Sequence, residues 1–149
     1  MDLIALQQHL KDLAAKKPLE GYCTFCGDCC HLSVKIKDES FKGRILVKDL
    51  PCRFLVSSDS NPESFRCSVY PDRFEKAPWC QSLGQGLVLG LYTSRCGYVP
   101  GLGGYEGPTE VSDHFMYYVL PYVLHQIQGY PDPFLEEDVQ EFVRKWNRG

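Results

Sequence analysis

Four cysteines fall within eight residues, in the run Cys23-Thr24-Phe25-Cys26-Gly27-Asp28-Cys29-Cys30, and four more follow at Cys52, Cys67, Cys80 and Cys96. Thiolates are the ligands that soft and borderline metals take, and a closed site needs about four of them converging. Two intervening residues let neighbouring sulfurs face one point, so Cys23, Cys26 and Cys29 supply most of one site. Gly27 admits a positive φ and lets backbone amides turn toward sulfur. Successive side chains diverge, so Cys29 and Cys30 are expected to serve different metals, or one of them to be structural. The flanks of the later four cysteines include Arg53, Arg66 and Arg95. Cations beside a thiol lower its pKa and offset thiolate charge. All eight cysteines are therefore read as metal ligands.

The rest of the chain bears on whether these thiols are ligands or disulfides. Its 149 residues amount to one domain. A chain of that length buries enough surface to fold without disulfide staples. No stretch approaches the ~20 apolar residues of a membrane span. The opening Met1-Asp2-Leu3-Ile4 has an early acid and no basic segment of the kind that begins a signal peptide. A cytoplasmic location is expected, and there a high cysteine count argues for metal over disulfides. The formal net charge of −3 gives no electrostatic case for nucleic acid or an anionic membrane as partner.

The elements that must position the cysteines follow from periodicity. Leu3, Leu6, Leu10 and Leu13 recur at helical spacing, and Pro18 ends that helix. Leu32 to Lys37 alternates as a half-buried strand, and Arg44 to Val47 is a second candidate. Cys52–Val56 and Phe65–Tyr70 read as a strand pair around a loop of turn formers, Ser57 to Ser64. That pairing would bring Cys52 and Cys67 to one end. Leu83 to Tyr92 is apolar and glycine-punctuated and stays open between helix and strand, and Pro100 to Pro108 is a loop.

The last third has no cysteine. Phe115 to Ile127 reads as a buried helix kinked at Pro121. The final helix is expected to be capped by Asp132 with Pro133 at its first position, acids early and Arg144 and Lys145 late. Its stripe of Leu135, Val139, Phe142, Val143 and Trp146 is read as packing onto the domain. The expected fold is α+β. A small, irregular β region organised by cysteine and metal, residues 22–97, would pack against an N-terminal helix and two C-terminal helices. The helical C-terminal part covers residues 109–147.

The cysteine pattern resembles the YkgJ-type cysteine-cluster family, named for its CxxCxxCC motif and regarded as zinc- or iron-chelating. The motif is carried here by residues 23–30, including the glycine after the second cysteine. The family's next cysteine, followed by apolar residues, matches Cys52-Arg53-Phe54-Leu55. Its cysteine before a tyrosine matches Cys67-Ser68-Val69-Tyr70, its following arginine matches Arg73, and its last two cysteines match Cys80 and Cys96. The resemblance spans about residues 22 to 97. An Arg-Pro pair frequent in the family is absent, since Phe74 follows Arg73 and the proline comes at Pro78.

Three functions fit these residues. The first is a non-catalytic module holding one or two zinc ions in thiolate sites. The second is an iron–sulfur protein. The Cys23-x-x-Cys26-x-x-Cys29 spacing is similar to that of ferredoxins and departs from it at Cys30. Similar cysteine motifs also occur in a flagellin lysine methylase, although no S-adenosylmethionine site is recognisable here. The third is a thiol carrier that exchanges its ion. No paired carboxylates and no phosphate loop argue for an enzyme, and no protein partner is indicated. His31, directly after the cluster, is either a fifth or alternative ligand or, as is expected, a solvent-facing residue at a strand start, and Asp28 is expected to be a turn residue and not a ligand. Tyr70 and Arg73 form either a small site beside the metal or a core tyrosine and an acid-paired arginine.

Overall fold

A computed structural model describes residues 2–38, 40–58 and 60–147. Helix α1, Leu3–Lys16, opens the chain, with Asp2 as its cap; the Asp2 carboxylate accepts from the Ile4 amide at 2.9 Å. Strands β1, His31–Val34, and β2, Ile45–Pro51, form an antiparallel pair. A second antiparallel pair joins β3, Leu55–Ser57, to β4, Phe65–Cys67. Four helices follow: α2, Arg73–Lys76; α3, Leu83–Leu89; α4, Asp113–Gly129; and α5, Glu136–Trp146. The fold is α+β, with one helix at the N-terminal end and two at the C-terminal end.

Apolar burial is divided between two clusters. In the larger, the β1–β2 register sets Leu32 opposite Val47 and Val34 opposite Ile45, so one face of the pair is wholly apolar. Helix α4 packs there through Met116, Val119, Val123 and Ile127, and α5 through Phe142. The smaller cluster joins α1 to α3 through Leu6, Leu87 and Leu102. Between Leu50 and Ala77, no described residue buries an apolar side chain fully. That stretch carries Cys52 and Cys67, and something other than a core must hold it.

Several local expectations change. Leu83–Leu89 is a helix, because Ser82 and Gln85 form a reciprocal capping box and Gly90 ends it at φ +72°. Helix α4 is buried on one face only, with Tyr117 and Tyr118 exposed by 53% and 66%. Pro121 sits inside it on the exposed side, where water can serve the carbonyl it leaves unpaired. Helix α5 starts at Glu136, not at Pro133. The carbonyls of Pro133 and Phe134 are committed to Arg53, through its amide at 2.7 Å and its guanidinium at 2.9 Å. Leu135, not Asp132, stands at the cap of α5, with no side-chain cap bond among the described residues. The strand pair around the 57–64 loop forms as expected but is shorter, with Leu55 opposite Cys67; Asp59 of that loop lies outside the described residues.

Close packing and hydrogen bonds bring the segments that carry Cys52, Cys67 and Cys96 to the loop at 23–30. Gly97 packs so closely on Tyr22 that a Cβ there would run into the Tyr22 carbonyl oxygen. Beside it, the Thr24 hydroxyl donates to the Arg95 carbonyl at 3.0 Å, which sets Cys23 beside Cys96. The Phe65 amide donates to the Phe25 carbonyl at 2.8 Å, and Gly27 lies against the Phe65 side chain. The Cys52 amide donates to the Cys30 carbonyl at 2.6 Å. The Cys52 carbonyl then accepts from Leu55 at 3.0 Å, the residue paired with Cys67.

Two stability experiments check this architecture by denaturant unfolding. Phe142→Ala is expected to cost about 3–5 kcal/mol, because it opens a cavity in the larger core. The neighbouring half-exposed Val143→Ala is expected to cost far less. Gly97→Ala is expected to cost about 1–3 kcal/mol by overpacking against Tyr22. Gly103→Ala, with nothing within 4 Å of the added carbon, is expected to stay within about 0.5 kcal/mol of the parent.

Candidate metal centre

The loop that begins the site is short and strained. Phe25 adopts φ +56°, a left-handed conformation uncommon for a bulky residue, and Gly27 adopts φ +75°. Between them the chain reverses, and the Phe25 amide donates to the Cys23 sulfur at 3.4 Å. Residues Asp28–Cys30 then make a 3-10 turn, with the Cys30 amide donating to the Gly27 carbonyl at 3.0 Å. The Phe25 ring is 52% exposed.

All eight cysteines are free thiols. Cys23 and Cys29 are exposed, Cys26, Cys30, Cys52, Cys67 and Cys80 are half-buried, and Cys96 is buried. Their mutual electrostatics show which are neighbours. Burial first, and then Cys29, Cys26 and Cys23, push the Cys96 thiol up to about 11 against the lowering effect of the Tyr98 backbone. Burial also raises Cys80; Arg73 opposes the rise, and Cys67, Cys29 and Cys52 add to it. The Cys29 thiol is driven well above the ordinary range, first by the adjoining Cys30 thiol. Burial raises Cys23 more than the Phe25 amide lowers it. Cys29 is thus among the thiols that raise both Cys96 and Cys80.

The side chains themselves stand apart. Among the described residues, no three of the Cys, His, Asp or Glu side chains converge tightly enough to hold an ion. The fold gathers the backbone that carries the thiols without closing the thiols on a point. The donor set nonetheless fits a thiolate-bound metal in kind. The thiols are numerous, unoxidised, partly exposed and mutually repulsive once ionised, and each has a single rotatable bond to its sulfur.

Asp28 is more than a turn residue. It is 2% exposed, and its Oδ1 receives the Lys48 ammonium at 2.9 Å while its Oδ2 receives the Thr93 hydroxyl at 2.6 Å. The Arg95 guanidinium stands 3.7 Å away. Burial works against the charge, but Thr93, Lys48 and Arg95 outweigh it and hold the carboxyl below its ordinary range. Lys48 reaches the site because the β1–β2 register slips between His31 and Leu32, which leaves Lys48, Asp49 and Leu50 without partners on β1. Nothing in the spacing of Lys48 or Thr93 marks either as a partner of Asp28. Only the position of Arg95 beside Cys96 was a signal.

His31 does not point freely to solvent. It is half-buried, and its Nδ1 lies 2.8 Å from the Gly27 carbonyl, which requires that nitrogen to donate. Burial holds its pKa down. Arg73 stacks on the rings of Tyr70 at 4.0 Å and Phe74 at 4.3 Å and donates to the Tyr70 carbonyl at 2.9 Å. Tyr70 is 54% exposed, so it is no core residue. Among the described residues, Arg73 makes no ion pair with an acid.

No family model matches the chain, so the resemblance to the YkgJ-type family rests on the residues quoted for it. No solved structure matches it. An uncharacterized protein of Methanocaldococcus jannaschii is 33% identical over 86 residues, covering 58% of this chain and 57% of that one. A UPF0260 protein of Granulibacter bethesdensis is 33% identical over 104 residues, covering 68% and 57%. A UPF0260 protein of Parvibaculum lavamentivorans is 38% identical over 64 residues, covering 43% and 37%. The chain spans little more than half the length of the first two. Two of these relatives are named as UPF0260 proteins, an uncharacterised family, and this chain is similar to them over 57% and 37% of their length.

Proposed function

We propose that this protein binds metal through its cysteines and that the metal is zinc, one or two ions held without catalysis. The observation that carries the reading is the coreless stretch between Leu50 and Ala77. Among its described residues no apolar side chain is fully buried, yet it is tied by backbone bonds to the loop that carries Cys23, Cys26, Cys29 and Cys30. A small lobe lacking apolar burial needs a staple, and a structural metal is one of the few available. The residues that would hold it are Cys23, Cys26, Cys29, Cys30, Cys52, Cys67, Cys80 and Cys96. Bound, the ion supplies folding energy, on the order of 10 kcal/mol per site in small peptides.

The thiol environment supports the same reading. Burial and neighbouring thiols raise Cys23, Cys80 and Cys96, Cys30 and burial raise Cys29, and a bound divalent cation would oppose these effects. The cysteine pattern that resembles the YkgJ-type family, regarded as zinc- or iron-chelating, points the same way. The Cys23-x-x-Cys26-x-x-Cys29 spacing favours a second reading, a [4Fe–4S] cluster with a redox or radical role.

The test is substitution. Cys23→Ser, Cys26→Ser, Cys67→Ser and Cys80→Ser are each purified, loaded with zinc and measured for metal per chain and for thermal unfolding with and without a chelator. Each variant is expected to lose bound zinc or to fail to fold, and chelator is expected to lower the unfolding temperature of the parent. Four soluble variants carrying as much zinc as the parent would overturn the assignment.

A further inference from the structure

We propose that Asp28 is a positioning residue: its buried carboxylate holds the cysteine loop against the Cys96 turn and the sheet before any metal arrives. Its purpose rests on the metal-binding reading; its geometry does not. Among the described residues it is the one charged side chain that is buried. Its three partners come from two separate parts of the fold. Lys48 rises from the slipped register of β2, while Thr93 and Arg95 lie in the turn closed by the Cys96 amide on the Thr93 carbonyl at 3.0 Å. One carboxylate therefore pins the Cys26–Cys30 segment on one side to the strand and on the other to the turn that carries Cys96.

An asparagine at 28 keeps the size of the side chain and loses both ion pairs. It also leaves the half-buried Lys48 uncompensated. All eight cysteines remain in such a variant. What is removed is the arrangement that presents them.

The experiment compares the parent with Asp28→Asn, with Thr93→Val as a milder second variant, and with Val139→Ala as a control for lost stability in the larger core. Two readouts are taken on the full chain. The first, without metal, is the alkylation rate of the buried Cys96, resolved by mass spectrometry. The second is zinc affinity by competition with a chelator. Asp28→Asn is expected to raise the Cys96 rate by about tenfold, as local opening does, and to weaken zinc binding in the same direction. Thr93→Val is expected to do so less, and Val139→Ala to do neither. Should Asp28→Asn not fold, Thr93→Val alone must show both effects against Val139→Ala. Unchanged Cys96 protection in both clasp variants overturns the inference, even where zinc binds. If the parent takes no zinc but the clasp variants still expose Cys96, the metal reading fails and the positioning role stands.

Discussion

The stretch from Pro51 to Lys76 has to be held to the rest of the chain by something other than buried apolar surface. It contributes no fully buried apolar side chain among the described residues, and its hairpin is only three residues on each strand. An isolated two-stranded hairpin is marginal in water. A backbone hydrogen bond adds only about 0.5–1.5 kcal/mol net, and ordering each residue costs about as much. The bonds from Phe65 to Phe25 and from Cys52 to Cys30 therefore specify where this lobe sits better than they keep it there. Aromatic contact helps, since Trp79 stacks on Phe54 with centroids 6.0 Å apart and meets Tyr130 edge-on.

From that constraint the loop at 23–30 takes its importance. It is the segment that both the hairpin and the 93–97 turn touch, and it is the only place where cysteines are dense. Its two left-handed residues, Phe25 and Gly27, fold it back on itself. Its acid is buried and clasped, and its histidine is fastened to its own carbonyl at Gly27. The two apolar clusters stand to either side, one under α4 and α5 and one between α1 and α3. They stabilise the frame, and the loop links them through Tyr22, whose hydroxyl donates to Leu13 in α1, and through the strand that follows at His31.

Much of this was legible in the residues. Helix α1 follows from leucines at helical spacing and a terminating Pro18, and the hairpin follows from two short β-rich runs around a loop of turn formers. The cysteine density announced a loop with special backbone geometry. What was not legible depended on distant partners. The start of α5 moved because Arg53, some eighty residues earlier, claims the carbonyls ahead of it. Helix α3 went unread because its glycines mask a capping box formed by Ser82 and Gln85. Asp28 looked like a turn residue because neither Lys48 nor Thr93 stands near it in sequence, and Lys48 reaches it only through a slipped register.

The most direct test of the central claim is anaerobic purification of the chain with elemental analysis of metal and a visible spectrum on the same sample. The account predicts colourless protein with about one or two zinc ions per chain. About four irons, with colour and matching acid-labile sulfide, would keep the thiols as ligands and move the function to the cluster reading. Protein with no metal, and with its cysteines blocked against thiol reagents, would contradict the account.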